Sequence, residues 1–230
     1  MAFRTEAKAC VGLMFLAMAA GAETYTVRHK HLRNGVTGVL RISESDLAFE
    51  EAGKHKEHSR TWKYDDIQEL QLGPDTLRIV TYEDNRRELG RDRVYLFDKL
   101  PAEVAARWYP VFSTHLDQRF VAALATAITP QWQIPAKLTH GRNGSQGVLL
   151  VADDAVVYQS SQPGESRTWR IKDLENVSSS DAFDLTITTH ERTFRFQLKQ
   201  VLGDARFQAL WLGVNQARGL QVLNPAGGRQ

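Results

Sequence analysis

The chain has 230 residues, of which 42% are hydrophobic and 24% are charged, and its formal net charge is +2. These values are close to those of an average folded protein, so they exclude a disordered, collagen-like or coiled-coil chain for most of the sequence. Because 29 basic side chains nearly balance 27 acidic ones, the net charge gives no broad attraction for nucleic acid, and we expect no nucleic-acid partner. Electrostatic binding therefore has to be local.

The N-terminus has the pattern of a signal peptide, which we place at residues 1–22. Basic residues precede an uncharged apolar run at residues 10–20, and small residues follow it up to Ala22. We therefore predict cleavage after Ala22 and an extracytoplasmic location, periplasmic or secreted. The apolar run is too short to span a membrane, so we expect no transmembrane anchor after cleavage. Cleavage also removes Cys10, the only cysteine, which excludes disulfides and thiol chemistry in the mature chain.

The remaining sequence contains two similar copies. Residues 31–40 (HLRNGVTGVL) align with residues 140–149 (HGRNGSQGVL) with seven identities in ten positions, and the motif Ser-Arg-Thr-Trp at residues 59–62 recurs at residues 166–169. Two tandem homologous domains explain this best. The predicted division is a first domain at residues 23–119, a linker at 120–131, a second domain at 132–219 and a C-terminal tail at 220–230.

Each copy has the pattern of several short strands followed by one helix. Asn-Gly pairs at Gly35 and Gly144 predict tight hairpin turns, and alternating apolar residues at 194–198 predict a strand with one buried face. Apolar residues at helical spacing predict a closing helix in each copy. We expect Pro110 to kink the first of these helices or divide it in two.

A tryptophan strand leads into an aspartate-aliphatic step in both copies, from Trp62 to Ile67 and from Trp169 to Leu174. Together with the order of elements, this pattern resembles the pleckstrin-homology-like (GRAM-like) superfold. The resemblance implies an α+β, mainly β fold: two tandem split barrels of antiparallel strands, each capped by a C-terminal helix. Proteins of this superfold mostly bind phosphoinositides, peptides or other proteins and rarely catalyse, so the resemblance implies a binding or scaffold protein.

The lipid-binding version of this superfold needs a cluster of basic residues around the first hairpin. Lys30 and Arg41 match two of those positions, but Val39 occupies a third. The second copy has Lys137 followed by apolar residues at the other two positions. Inositol-lipid binding is therefore not favoured, and a protein or peptide is the expected partner.

Two groups of basic residues are candidates for contacting the partner. One is the basic segment of the first copy, with Lys30, Arg33 and Arg41. The other is a charged stretch at residues 82–93, where the first copy carries about nine residues more than the second; it contains Arg86, Arg87 and Arg91. Guanidinium groups suit carboxylate recognition. Two alternatives stay open: the stretch is a solvated hairpin, or the basic residues bind an anionic envelope polymer.

The first copy also contains histidines at spacings that would suit a divalent metal: His29, His31, His55 and His58. A metal-binding protein or metal-dependent hydrolase is therefore an alternative. The second copy does not repeat this set, and the sequence has no nucleophile elbow, phosphate loop or HExxH motif. We expect no catalytic residues and no cofactor.

Overall fold

The computed structural model describes residues 22–30, 35–53, 56–85, 88, 90–117, 119–140 and 143–219. The predicted signal peptide lies, apart from Ala22, outside the described residues, as does the predicted tail at 220–230. Among the residues described, no helix is long and apolar enough to cross a membrane.

In the first copy the described elements are β1 (Glu23–His29), β2 (Val36–Ile42), β3 (Asp46–Glu51), β4 (Arg60–Lys63), a 3₁₀ turn (Tyr64–Asp66), β5 (Ile67–Leu72), β6 (Thr76–Asp84), β7 (Asp92–Asp98) and α1 (Ala102–His115). A short strand, β8 (Arg119–Ala122), lies mostly within the predicted linker. The second copy contains β9 (Trp132–His140), β10 (Asn143–Val151), β11 (Ala155–Ser160), β12 (Arg167–Arg170), a 3₁₀ turn (Ile171–Asp173), β13 (Leu174–Ser178), β14 (Asp184–Thr189), β15 (Thr193–Leu198) and α2 (Asp204–Ala217).

The fifteen strands form one hydrogen-bonded sheet, in the order β13-β14-β15-β9-β10-β11-β12-β8-β5-β6-β7-β1-β2-β3-β4. Both copies have the same internal order, and β8 joins them. It pairs in parallel with β5 of the first copy and in antiparallel with β12 of the second. The prediction of a mainly β chain with one helix ending each copy is confirmed. That each copy closes as a separate split barrel stays a prediction.

The repeated tryptophans occupy equivalent positions in two hydrophobic cores. Trp62 and Trp169 are both 3% exposed. Their rings meet Tyr95 and Phe194, respectively, edge to face, with 4.8 Å between centroids in each pair. Both tryptophans therefore serve in the packing of the two cores.

A glycine repeated on the second strand of each copy allows a close approach between strands. A Cβ at Gly38 would lie 2.6 Å from the Phe49 ring, and one at Gly147 would lie 2.9 Å from the Tyr158 ring. In both cases a carbonyl oxygen of the neighbouring strand would lie 2.3 Å away. The glycine is therefore required by packing and not by a turn, since both residues lie inside strands.

Pro110 does not divide the first helix, so that part of the sequence prediction was wrong. The α1 helix continues from Ala102 to His115 with Pro110 inside it. Pro110 is exposed, whereas Trp108 and Phe112 on either side are buried in the core. Packing of this buried face on both sides of the proline outweighs the hydrogen bond that proline cannot donate.

Candidate functional site

Lys30, the first predicted contact residue, forms an ion pair with Asp98. The Lys30 Nζ atom lies 3.2 Å from the Asp98 carboxylate, and Arg28 binds the same carboxylate through two hydrogen bonds. The hydrogen bond from Arg28 is the main reason that the pKa of Asp98 is held below its usual value. The second copy has Gln197 in the equivalent place, opposite Lys137. This charged cluster therefore belongs to the first copy alone.

Two other predicted contacts are also engaged with acids. Arg41 lies 3.0 Å from the carboxylate of Asp46, and Arg91 lies 2.7 Å from that of Glu88. The remaining predicted contacts, Arg33, Arg86 and Arg87, lie outside the described residues. Each described candidate thus has a local counterion, which reduces its attraction for an external anion.

The described cations do not gather in one place. Arg41 is paired with Thr24 at one end of the β1–β2 hairpin, and Lys30 lies six residues further along, which is about 20 Å in extended chain. The backbone amide of Lys30 donates a hydrogen bond to the carbonyl of Leu96 on β7, and Arg91 lies five residues before Leu96, just ahead of that strand. The three residues therefore form no single pocket for one ligand.

Two of the four candidate histidines of the first copy, His29 and His58, lie within the described residues, and His58 is half-buried. His29 is buried, its ring 5.0 Å from that of Phe97 and 6.1 Å from that of His58. Its counterpart in the second copy is Leu138, which is also buried. His31 and His55 lie outside the described residues. Within the described residues, no three His, Cys, Asp or Glu side chains are grouped to hold a metal ion.

The clearest binding surface in the chain is the edge of β12 in the second copy. It pairs with β8 and binds the residues that follow β8. Thr168 is paired with Ala122 across the two strands. The Thr168 hydroxyl donates a hydrogen bond to the carbonyl of Leu124 at 2.8 Å and accepts one from the amide of Thr126 at 3.1 Å. We call this contact between the copies the β12 seam. On the side of the second copy it consists of Thr168, Arg170, Lys172 and His190. An extended segment is bound there through its backbone.

Arg170 clamps the second copy onto the end of α1. Its guanidinium donates hydrogen bonds to the carbonyls of Ser113 and Leu116 and lies over the Phe120 ring. The same group binds Asp173 through two hydrogen bonds, one of 2.8 Å. Burial raises the pKa of Asp173, and Arg170 acts against that rise. Because its side chain is only 5% exposed, Arg170 holds the helix end where carbonyls are left without intrahelical partners.

Two further side-chain pairs complete the seam. Lys172 Nζ lies 3.2 Å from the carboxylate of Asp117, which precedes β8. His190 Nε2 lies 3.2 Å from the carboxylate of Glu69 on β5 and forms an ion pair when the imidazole is protonated. Both pairs join the second copy to the first.

The equivalent edge of the first copy is open. β4 is the last strand of the sheet, and among the residues that the structure describes no strand pairs with its outer side. Thr61 and Lys63 are exposed there, whereas their counterparts Thr168 and Arg170 are buried. A cleft of about 360 Å³, which we call the β4 cleft, lies beside this edge. It is lined by Thr61, Trp62, Asp65, Asp66, Thr81, Tyr82 and Glu83.

The β4 cleft differs from the β12 seam at the residues that select a charge. Asp65 stands where the seam has Lys172, so the sign is reversed at the position that meets the residue before β8. Tyr82 stands where the seam has His190, and it is 60% exposed. The β4 edge therefore has the same order of strand and 3₁₀ turn as the seam, with the opposite charge at one position.

The predicted insertion reaches this cleft. Strands β6 and β7 are bridged between Asp84 and Asp92, whereas the second copy turns between Thr188 and Thr193. Tyr82 and Glu83, at the start of the insertion, line the cleft. Arg91, the predicted contact of the insertion that lies within the described residues, is not among the lining residues.

Sequence reasoning missed the β4 edge as a site. The signal was present in the repeat, because Lys63 and Asp65 align with Arg170 and Lys172. This alignment indicates a site only once β8 is known to pair with β12. The sequence does not predict that pairing, because pairing between distant residues leaves no periodic pattern.

No protein-family model matches the chain, and no curated protein matches it. One similar solved structure is the C-terminal domain of an unknown protein from Leishmania infantum, with 16% identity and a TM-score of 0.31 over 37% of this chain and 84% of that one. Another is the Spt16D Pob3N heterodimer, with 11% identity and a TM-score of 0.35 over 74% of this chain and 84% of that one. Likenesses at this level carry no functional argument.

Proposed function

We propose that this chain is a non-enzymatic binding or scaffold protein that holds an extended segment of a protein partner at the β4 edge of its first copy. In this proposal the two copies are tandem pleckstrin-homology-like domains, and the chain is exported by its signal peptide to the periplasm or the exterior. The second copy binds an extended segment of this chain at β12. We propose that the equivalent edge of the first copy, β4, binds a segment of the partner in the same way.

The supporting observation is the internal repeat of a strand-binding edge. Thr61 and Trp62 on β4 correspond to Thr168 and Trp169 on β12, and β12 already binds a backbone segment through the hydroxyl of Thr168. A strand added to an open sheet edge gains main-chain hydrogen bonds, and the neighbouring side-chain pockets give specificity. The β4 cleft provides such a pocket.

The charged insertion begins at two residues that line the cleft, Tyr82 and Glu83. We keep Arg86, Arg87 and Arg91, from the same insertion, as proposed contacts of the partner outside the cleft lining. Lys30 and Arg41 are assigned a smaller part, because each is paired with an acid away from the cleft. The same pairing disfavours an anionic polymer as the principal ligand.

The test uses the chain's own strand as a probe. A synthetic peptide of residues 119–127, which contains the segment bound in the β12 seam, is titrated into the mature chain by calorimetry. We expect saturable binding. Replacing residues 82–92 by a short Asn-Gly turn removes Tyr82 and Glu83 from the cleft, so the affinity should fall about tenfold or more.

The fold should survive that replacement, because surface hairpins tolerate changes in length at small cost. The melting temperature of the shortened variant serves as the control. Undiminished affinity in a stable shortened variant would contradict the placement of the site.

A further inference from the structure

We infer that the segment which fills the β4 cleft carries a lysine or arginine two residues before its strand. This inference rests on the proposed function and names the chemistry of the partner. It follows from one position at which the two copies have opposite charges.

The β12 seam defines where that position lies. Asp117 stands two residues before Arg119, the first residue of β8, and its carboxylate meets Lys172 at 3.2 Å. Lys172 belongs to the 3₁₀ turn that follows β12. A segment that enters this edge thus presents its residue two before the strand to the 3₁₀ turn.

The 3₁₀ turn after β4 has the same length and the same place in its copy, but Asp65 replaces Lys172. Of the seven residues that line the β4 cleft, three are carboxylates, Asp65, Asp66 and Glu83, and none is basic. Glu83 is already paired with Arg93. Asp65 and Asp66 are exposed, and they favour a cation where the seam accepts Asp117.

A second copy of this chain does not supply that cation at the matching position. The α2 helix aligns with α1 at equal length, so the counterpart of Asp117 is Gly219. The neighbouring Arg218 already donates a hydrogen bond to the carbonyl of Glu175. The occupant that fits the β4 cleft is therefore a different protein that presents a basic residue two positions before an extended strand.

The experiment is a charge swap between peptide and protein. Two peptides are compared, the sequence of residues 117–127 and the same sequence with Asp117→Lys. Each is titrated into the mature chain and into its Asp65→Lys variant at low ionic strength. The lysine peptide should bind the unmodified chain about three- to fivefold more tightly, which is the upper range for a solvent-exposed ion pair. On Asp65→Lys the preference should reverse, and added salt should reduce it.

Asp75→Lys is the matched control, because it makes the same change of net charge at an exposed turn away from the cleft lining. It should leave the preference unchanged. Equal affinities of the two peptides for the unmodified chain would overturn the inference and leave the proposed function standing. Binding of neither peptide up to about 1 mM would contradict the proposed function itself.

Sedimentation velocity of the chain without peptide tests whether a second copy of the chain occupies the cleft. We expect no self-association that depends on Asp65. Dimers or larger species that disappear in Asp65→Lys would assign the cleft to a second copy and overturn the inference.

Discussion

The β12 and β4 edges show what one strand sequence does in two surroundings. Both edges contain Arg-Thr-Trp followed by a basic residue and a 3₁₀ turn. At β12 the threonine is 2% exposed and bound to an incoming segment, whereas at β4 the threonine is exposed. The comparison teaches that the same strand sequence is buried where a later segment of the chain pairs with it, and stays exposed where no described segment does.

Loss of the Arg170 side chain should have the largest effect on stability. Arg170→Ala leaves Asp173 and the carbonyls at the end of α1 without their partner in a buried site. We expect a loss of about 3–5 kcal/mol in the free energy of unfolding, measured by chemical denaturation. Lys63→Ala at the equivalent exposed position should change it by about 0.5 kcal/mol or less. Equal effects of the two substitutions would contradict the difference between the edges.

The buried tryptophans should respond alike in both copies. Trp62→Ala and Trp169→Ala each remove a ring from an equivalent core, so each should cost about 3–5 kcal/mol in the same denaturation measurement. Trp62 also lines the β4 cleft. Loss of peptide binding at unchanged stability in Trp62→Ala would show that this residue is a ligand contact instead.

Substitution of the repeated strand glycines should have the next largest effect on the free energy of unfolding. Gly38→Ala and Gly147→Ala force a Cβ against a ring and a carbonyl oxygen, and we expect a loss of about 1–3 kcal/mol for each. Gly213→Ala is the control, because its Cβ would meet nothing nearer than 4.0 Å in helix α2. That substitution should stabilise the chain by about 0.5–1 kcal/mol. Gly38→Ala without cost would contradict the close approach of the strands.

Lowering the pH should have the smallest effect on the free energy of unfolding, through Asp98 of the first copy. The hydrogen bond from Arg28 lowers the pKa of Asp98, so the charged carboxylate stabilises the fold above its unfolded-state pKa of about 3.9. This contribution is lost as the pH falls through the folded-state pKa, below that value. Comparing the acid unfolding of the unmodified chain with that of Asp98→Asn should show a shallower decline in the variant. Identical pH profiles of the two chains would contradict a stabilising role for the charged Asp98 carboxylate.

The repeat and the tryptophan positions could be predicted from sequence because they rest on local identity. The matching Ser-Arg-Thr-Trp motifs led directly to equivalent strands. The role of β8 could not be predicted in this way. Its four residues lie in an apolar stretch without alternation, and their pairing with β5 and β12 depends on residues about 50 positions away in each direction.

The expectation that Pro110 could divide the helix in two failed for a related reason. Local propensity favours a break at that residue, but Trp108 and Phe112 are buried on the same core-facing side. The strength of that burial is a property of the assembled core and not of the helix sequence.

The central claim is that β4 is an open receptor for extended chain, and peptide-induced chemical-shift changes test it most directly. The peptide of residues 119–127 is titrated into the isotopically labelled chain of residues 23–230, and amide shifts and exchange rates are followed along the backbone. We expect shifts at Arg60–Lys63 and at Tyr82 and Glu83, together with slower exchange of the β4 amides. Shifts confined to other regions, or no shifts at these residues at peptide saturation, would contradict the claim.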